Sequence, residues 1–232
     1  MGACGRKIGP YDCCSVVCGD CLELMKAIPD GAVDAVITDP PYGIAFDTDY
    51  RRFTTGFNVP RKNHPPVFGD DSPFDPVPWL QFPRVILWGA NHYSEKLPMG
   101  SWLIWDKRFS NGSAFLADGE AAWMNHGSGV YICSVTSQGC IRPEAIQHPT
   151  QKPVEVMAWC IEKAGMPETL LDPFAGSGTT GVAAAKLGRH YLLFEISEEY
   201  CRIARERIAR IEAQPSLFEP KPEQLILTGS EL

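Results

Sequence analysis

A chain of 232 residues with 44% hydrophobic and 21% charged residues is long enough for one sizeable hydrophobic core and does not require a second domain. No apolar run approaches the ~20 residues that span a bilayer, and the N-terminus lacks the apolar region of a secretory signal, so the sequence predicts a cytoplasmic protein without membrane segments. The net charge of −7 argues against binding nucleic acid by bulk electrostatics, so such a contact requires a local basic patch.

Short apolar runs alternate along the chain with helical segments. Seven runs are predicted strands, in chain order CSVVC, VDAVITD, RVILWG, SWLIWD, GVYIC, TLLD and HYLLFE. Four segments are predicted helices, GDCLELMKAI, TQKPVEVMAWCIEKAG, SGTTGVAAAKLG and SEEYCRIARERIARIEAQ. The alternation predicts an α/β fold with a mostly parallel sheet and helices on both faces.

The nine cysteines are odd in number, and several lie inside apolar runs, which favours buried thiols over disulfides. Cys18 and Cys21 form a CxxC pair shortly after Cys13 and Cys14. Because no second CxxC or HxxxH pair accompanies them, we expect no metal site.

The segment TLLDPFAGSGTTGVAAAKLG has the pattern of a strand, a glycine turn and a helix. Gly176, Gly178 and Gly181 spell GxGxxG, and Glu195 ends the next predicted strand 19 residues after Gly176, where an acid suits ribose hydroxyls. Asp172 stands directly before the turn, where a carboxylate would repel a dinucleotide pyrophosphate. It would suit the ammonium and sulfonium groups of S-adenosylmethionine, and a nicotinamide-dependent oxidoreductase is the alternative.

The position of the glycine turn predicts a rearranged order of strands. Only about 40 residues follow Glu195, too few to complete a doubly wound sheet, so the remaining strands must come from the N-terminal half. We therefore predict a circularly permuted fold with one catalytic domain over residues 1–213 and a tail over residues 214–232.

Several segments together resemble one family, the DNA amino-methyltransferases of the β class, in which a DPPY segment precedes the glycine turn. They are GDCLELMKAIPDGAVDAVITDPPYGI, WGANHY, WDKR, HPTQKPVEVM and DPFAGSGTTGVAAAKLGRHYLLFEIS, in the family's order. The resemblance implies a Rossmann-like methyltransferase fold with a seven-stranded sheet. It also implies that a methyl group passes from S-adenosylmethionine to an amino group of a base in double-stranded DNA.

The family pattern associates DPPY mainly with adenine, so methylation at N6 of adenine is favoured and N4 of cytosine is the alternative. Methylation of RNA or protein is a nearer rival than an oxidoreductase, but the relatives with those activities place the glycine turn first. A binding module without catalysis would keep the fold and the DNA contacts.

The resemblance assigns catalysis to Asp39, Pro40, Pro41 and Tyr42. The amino group of a base is a poor nucleophile, because its lone pair is delocalised into the ring. The carboxylate of Asp39 and the carbonyl of Pro40 are expected to accept its two N–H groups and to stabilise the developing positive charge. Pro41 stiffens the turn, and Tyr42 offers a face on which a flipped base stacks.

The resemblance places eight residues at the cofactor: Asp20, Thr150, Lys152, Asp172, Phe174, Gly176, Gly178 and Glu195. Asp20 matches an acid near the adenine, although the N-cap of a helix is an equally good interpretation. Lys152 would pair with the methionine carboxylate, unless it is a solvated surface charge.

Two segments fit no part of the family pattern, residues 44–83 and 107–147, and they are the expected DNA-recognition loops. The candidate phosphate contacts are Arg51, Arg52, Arg61, Lys62, Lys107 and Arg108. In the tail, QPSLF from Gln214 to Phe218 resembles the short peptides that bind a bacterial sliding clamp. The sequence leaves the oligomeric state open, a dimer included.

Overall fold

A computed structural model of the chain describes residues 4–48, 67–108, 117–135 and 151–213. The N-terminal half contains β1 (Lys7–Ile8), β2 (Tyr11–Asp12), β3 (Ser15–Cys18), α1 (Cys21–Met25), β4 (Ala35–Thr38) and β5 (Arg84–Trp88). The remainder contains β6 (Ser101–Asp106), β7 (Gly119–Met124), β8 (Val130–Ser134), α2 (Val154–Lys163), β9 (Thr169–Asp172), α3 (Thr179–Lys186), β10 (His190–Glu195) and α4 (Glu198–Glu212). Short 3₁₀ turns span Val77–Trp79, Ala90–His92 and Ser94–Lys96.

Eight strands form one sheet in the order β3-β10-β9-β4-β5-β7-β6-β8, and β1 and β2 form a separate hairpin. Neighbouring strands are parallel except where β7 pairs with β5 and β6. All seven predicted strands are present, which confirms the mostly parallel α/β fold. The eighth, β7, was missed because GEAAWM has no β-branched residue and no apolar alternation, so its pairing with two neighbours decides its structure.

The two ends of the chain meet in the sheet. β3 pairs in parallel with β10, with Val16 opposite Leu193, and Arg205 of α4 donates from Nη2 to the carbonyl of Val16 at 2.9 Å. β4 lies between β9 and β5, although β9 follows it by more than a hundred residues. The strand order therefore confirms the predicted circular permutation.

Alternate residues of the central strands pack against different layers. Ile37 belongs to the cluster that holds the buried residues of α2, α3 and α4, including Met157. Val36 belongs to the cluster on the other face, against which Leu24 of α1 and the hairpin residue Ile8 pack. Each such aliphatic side chain contributes about 2 kcal/mol by burial, so the sheet is stabilised by helices on both faces. Among the residues described, no helix has the length and apolar character required to cross a membrane.

Gly178 joins the glycine turn to α3 and touches α4. Its φ is +80°, and a Cβ there would lie 2.7 Å from Cβ of Ala204. Gly188 also has a positive φ, +64°, but a Cβ there would meet nothing within 4 Å. The two positions separate the cost of backbone conformation from the cost of close packing.

We expect Gly188→Ala to lower the free energy of unfolding by about 1 kcal/mol, the cost of a left-handed alanine. Gly178→Ala carries the same cost and also forces α3 and α4 apart, which adds about 2 kcal/mol. Urea denaturation of both variants measures the difference. Equal losses would show that the contact between Gly178 and Ala204 has no energetic weight.

Candidate active site

Two acids stand side by side where β4 and β9 end. Asp39 follows β4 directly, Asp172 is the last residue of β9, and Thr38 donates from Oγ1 to Asp172 Oδ1 at 2.6 Å. From β9 the chain continues through α3 to β10 on one side, and from β4 it continues to β5 on the other, so this is a topological switch point of the sheet. Ligands of open α/β sheets bind at such points, outside the carboxyl ends of the strands.

A cavity opens at this point and joins the two segments that the sequence singled out. Its volume is about 360 Å³, including the solvent at its mouth. It is lined by Asp39, Gln151, Lys152, Met157, Asp172, Phe174, Ala175, Gly176, Ser177, Thr179 and Thr180. Asp39 therefore faces the same space as the glycine turn, which the sequence places more than a hundred residues later.

Asp172 is fully buried and accepts three hydrogen bonds. Besides the bond from Thr38, Oδ2 accepts from Oγ1 of Thr180 at 2.5 Å, and Oδ1 accepts from the backbone N–H of Phe174 at 3.0 Å. Burial raises the pKa of Asp172 to about 6, against the lowering effect of these bonds. The carboxylate thus fixes the glycine turn to both strands, and its ionised form predominates at pH 7.

This raised pKa predicts a component of stability that depends on pH. With a pKa of about 6 in the folded protein and about 3.9 when unfolded, the folded state binds the proton more tightly. The contribution is complete below pH ~4 and is lost as pH rises through ~6, and it amounts to about 3 kcal/mol. Asp172→Asn lacks this contribution. Between pH ~4 and pH ~7, urea unfolding should therefore show the stability of the variant rising by about that much relative to wild type.

The control for this experiment is Asp71→Asn, in which the carboxylate removed is exposed to solvent. We expect its stability to follow the wild-type pH dependence. A constant difference between Asp172→Asn and wild type from pH 4 to pH 7 would contradict the raised pKa.

The DPPY turn is held by side chains on both sides. The hydroxyl of Tyr42 donates to Asp39 Oδ1 at 2.5 Å, and the Tyr42 ring stacks on His92 with centroids 5.1 Å apart and an interplanar angle of 17°. The loop after the turn is fixed by buried Asp70, whose carboxylate accepts backbone N–H groups including those of Gly43 and Phe46. The position of the Asp39 carboxylate therefore depends on contacts with two other segments of the chain, those of His92 and Asp70.

Lys152 lies against the DPPY turn. Its side chain is only 4% exposed, and Nζ lies 2.6 Å from Asp39 Oδ2 and 3.0 Å from Glu120 Oε2. The same ammonium lies 4.9 Å from the centroid of the Trp88 ring. Lys107 binds the other oxygen of Glu120 at 2.7 Å, so two acids and two bases form one network, the Lys152 cluster: Asp39, Lys107, Glu120 and Lys152.

The Lys152 cluster sets the charge of the turn. Burial raises the pKa of Asp39, and the ammonium of Lys152 opposes that rise. Burial also acts to raise the pKa of Glu120, but Lys152 and Lys107 together hold it at about 2. Two negative and two positive groups balance, which favours an ionised Asp39 in a site largely closed to water.

The glycine turn is anchored by Glu195. Its carboxylate accepts from the N–H of Gly176 at 2.8 Å and from the N–H of Ser197 at 2.9 Å. Phe174, which also lines the cavity, is in edge-to-face contact with Trp79, with ring centroids 5.6 Å apart. Hydrogen bonding to backbone N–H groups fixes the Glu195 side chain at the end of β10.

Other predicted site residues have different partners or lie outside the described chain. Asp20 caps α1 by accepting from the backbone N–H of Leu22 at 2.8 Å, which is the N-cap interpretation of this residue. Lys107 is paired with Glu120, and Arg108 forms an ion pair with Asp106, so both cations have partners within the chain. The predictions for Thr150, Arg51, Arg52, Arg61, Lys62 and Gln214–Phe218 concern residues outside the described parts.

Three residues near the turn were not predicted from the sequence. Glu120 lies on the missed strand β7, directly opposite Trp105 of β6. His92 and Trp88 follow from the fold of the WGANHY segment, whose 3₁₀ turn brings the imidazole onto Tyr42. The only indication of Glu120 in the sequence was its charge within the otherwise apolar segment GEAAWM. Because that segment was not predicted to be a strand, the charge could not be interpreted.

The strand order and the cavity at the switch point define a Rossmann-like α/β fold of the methyltransferase type. The solved structure of TTHA0409 from Thermus thermophilus, described as a putative DNA modification methylase, matches it with a TM-score of 0.53 and 22% identity, over 85% of this chain and 94% of that one. The PvuII DNA methyltransferase, described as cytosine-N4-specific, matches with a TM-score of 0.53 and 16% identity, over 85% and 90%. These likenesses confirm the fold.

The sequence comparisons agree with the fold. Residues 130–206 match the DNA methylase family N6_N4_Mtase. YubD of Escherichia coli K12, whose name describes it as a putative methylase, is 28% identical over 212 residues, which is 84% of this chain and 89% of that protein. These matches support the resemblance inferred from the sequence, because this chain is similar to N6/N4 DNA methylases.

Proposed function

We propose that this protein is a DNA methyltransferase that transfers a methyl group from S-adenosylmethionine to the N6 amino group of a flipped adenine. The observation that carries the proposal is the shared cavity, in which the Asp39 carboxylate and the glycine turn face the same space. The Asp39 carboxylate can accept hydrogen bonds from an amino group, and the glycine turn is of a type that binds a cofactor. Their meeting at one cavity is expected if two ligands bind there side by side. The match to the DNA methylase family supports the same reaction.

The residues around the cavity fit S-adenosylmethionine. Glu195, anchored by Gly176 and Ser197, is suited to the ribose hydroxyls. Asp172 places negative charge beside the cavity, which suits a cationic cofactor better than a pyrophosphate. When bound, the cofactor supplies a methyl group on a positively charged sulfur.

Asp39 and Pro40 act on the other reactant. Their oxygens accept the two amino N–H groups, so that the nitrogen lone pair turns out of the ring plane toward the methyl group. The new N–C bond forms as the S–C bond breaks, and the positive charge that develops on nitrogen is stabilised by the two acceptors. One amino proton is then lost to Asp39 and passes to solvent. Lys152 keeps Asp39 ionised, and Glu120 balances the charge of Lys152.

The base on which the enzyme acts is the finer part of this proposal. We favour adenine because the segment reads DPPY. N4 of cytosine is the second candidate, because the fold matches that of PvuII methyltransferase with the same TM-score, 0.53, as that of TTHA0409. Both amino groups present two N–H donors and a delocalised lone pair. The geometry of Asp39 serves either base, so the product must be identified directly.

The experiment incubates the purified protein with unmethylated DNA and S-adenosylmethionine labelled in the methyl group, and then digests the DNA to nucleosides. We expect the label in N6-methyl-2′-deoxyadenosine, and single-molecule sequencing should place it in one short motif. Label in N4-methyl-2′-deoxycytidine would replace the base assignment but keep the reaction. No labelled nucleoside, together with calorimetric binding of NAD instead of S-adenosylmethionine, would overturn the proposal.

The proposal includes double-stranded DNA as the partner and keeps the cytoplasmic location predicted from the sequence. It also keeps the interaction of the QPSLF peptide with a sliding clamp as a hypothesis. Calorimetry with a clamp protein tests that hypothesis, with Leu217→Ala and Phe218→Ala as the variants that should lose binding. An unchanged signal in both variants, or no binding by the wild type, would remove it.

A further inference from the structure

Four side chains of metal-binding type meet beside the N-terminal hairpin. Sulfur atoms of Cys4, Cys13 and Cys14 and a ring nitrogen of His190 all lie within 4.8 Å of one another. We propose that this group, the N-terminal cysteine cluster, is a structural zinc site. It is separate from the cavity at the switch point, and it does not depend on the proposed methyltransferase reaction.

The distances within the cluster are those between ligands of one tetrahedral ion. The sulfurs of Cys13 and Cys14 are 3.6 Å apart, and they lie 3.2 Å and 3.7 Å from Nδ1 of His190. Zinc with Zn–S bonds of about 2.3 Å and a Zn–N bond of about 2.0 Å separates two sulfurs by about 3.8 Å and a sulfur from the nitrogen by about 3.5 Å. For these three ligands, shifts of a few tenths of an ångström therefore admit the ion, and the sulfur of Cys4 lies within 4.8 Å of each of them.

The types and number of ligands indicate zinc in a structural role. Three thiolates and one imidazole are a soft and borderline set, which selects zinc over magnesium or calcium. Four protein ligands complete a tetrahedron, so no position stays open for a substrate or an activated water. Copper(I) and iron also bind thiolates, and direct analysis of the metal distinguishes them.

The backbone holds the ligands in place from two directions. The N–H of Cys13 donates to the carbonyl of Arg6 at 3.0 Å, within the hairpin that carries Cys4 at its base. The N–H of Cys14 donates to the carbonyl of Tyr191 at 2.8 Å, on the strand that begins with His190. Cys14 has a φ of +61°, a conformation that is rare for residues other than glycine. This conformation lets the sulfurs of two adjacent cysteines, Cys13 and Cys14, lie on the same side of the chain, 3.6 Å apart.

The expected role of the ion follows from its position. β1 and β2 contain two residues each, and a hairpin of that size is not stable alone. A bond from Cys4 and Cys13 through zinc to His190 would fix this hairpin to the start of β10. Glu195 ends the same strand about 16 Å away, so loss of the ion should affect stability before catalysis.

Sequence spacing alone did not reveal this cluster. Neither cysteine of the CxxC pair, Cys18 or Cys21, belongs to the cluster. His190 lies 176 residues after Cys14. Cys18 instead lies near Cys201 and Glu198 in a second, three-membered group. Only the pairing of the N-terminal strands with β10 brings the imidazole to the thiols.

The test measures metal in the full chain, purified without an affinity tag that binds metal and without chelator. Mass spectrometric elemental analysis should find about one zinc ion per chain, and the protein reconstituted with Co²⁺ should show the intense visible absorption of tetrahedral cobalt with thiolate ligands. The variants Cys13→Ser/Cys14→Ser and His190→Gln should each reduce the zinc content at least about tenfold. Cys18→Ser is the matched control and should retain the metal.

Circular dichroism accompanies each measurement, so that a variant that fails to fold is recognised. If the double variant unfolds, His190→Gln and the Co²⁺ spectrum of the wild type decide the question alone. Three results would overturn the proposal: wild type with no bound metal after growth in zinc, zinc retained by His190→Gln, or a disulfide among Cys4, Cys13 and Cys14, identified by peptide mass mapping of the metal-free chain.

Discussion

Replacing Asp39 with asparagine is expected to lower the rate of methyl transfer by about 10³-fold, with the affinity for S-adenosylmethionine changed less than about tenfold. The amide keeps the size of the side chain, but it offers one oxygen acceptor in place of a carboxylate. It therefore loses the negative charge that stabilises the positive nitrogen as the methyl group arrives. Transfer of labelled methyl groups to DNA measures the rate, and calorimetry measures the cofactor affinity.

The matched control is Asp34→Asn, at the opposite end of β4. Asp34 accepts from the N–H of Thr169 at 2.8 Å, and an asparagine oxygen accepts the same bond. Both variants thus remove a carboxylate next to the same strand, but only Asp39 lines the cavity. Activity above about a tenth of wild type in Asp39→Asn would show that its charge does not act in the transition state.

Circular dichroism and urea denaturation of Asp39→Asn belong with the rate, because the substitution also leaves Lys152 with a single acid, Glu120. Some loss of stability is expected from the weakened network. A folded variant that binds the cofactor and does not transfer the methyl group locates the defect in the chemical step.

The sequence predicted seven of the eight strands of the sheet and the two segments that meet at the cavity, because both rest on local patterns. Apolar runs of four to six residues define β4, β9 and β10, and the glycines of the turn require conformations that other residues avoid, with φ of +80° at Gly178. Chain order then located Asp39 beside the turn, because a short C-terminal remainder cannot supply a whole sheet. These inferences need no contact between distant side chains.

The partners of the site residues depend on contacts that the local sequence does not encode. Lys152 was expected at the cofactor carboxylate or in solvent; it lines the cavity but is not solvated, and its pairing with Asp39 and Glu120 was not predicted. That arrangement follows from the pairing of β7 with β5 and β6, and the strand β7 itself was not predicted. The same reason applies to His190 and the N-terminal cysteines, which are neighbours only after β3 joins β10.

The second large effect is expected from Lys152→Met. This change leaves Asp39 and Glu120 near each other without the ammonium group that they share. The side chain of Lys152 is 4% exposed, and those of Asp39 and Glu120 are 18% and 29% exposed. Removing one partner of a buried ion pair leaves an uncompensated charge, so we expect the free energy of unfolding to fall by about 3–5 kcal/mol. Lys186→Met makes the same chemical change at the exposed end of α3 and should cost less than about 0.5 kcal/mol.

The pH dependence of activity distinguishes an effect of the ammonium on Asp39 from a loss of folding. Burial raises the pKa of Asp39, and Lys152 opposes the rise, so Lys152→Met should raise that pKa further. Since the reaction needs the carboxylate ionised, the acidic limb of the rate profile should move to higher pH and the rate should recover in alkaline buffer. Adding Glu120→Gln removes the remaining like charge and should restore part of both stability and neutral-pH activity. An acidic limb that stays at the wild-type pH would mean that Lys152 supports the fold but does not control the protonation of Asp39.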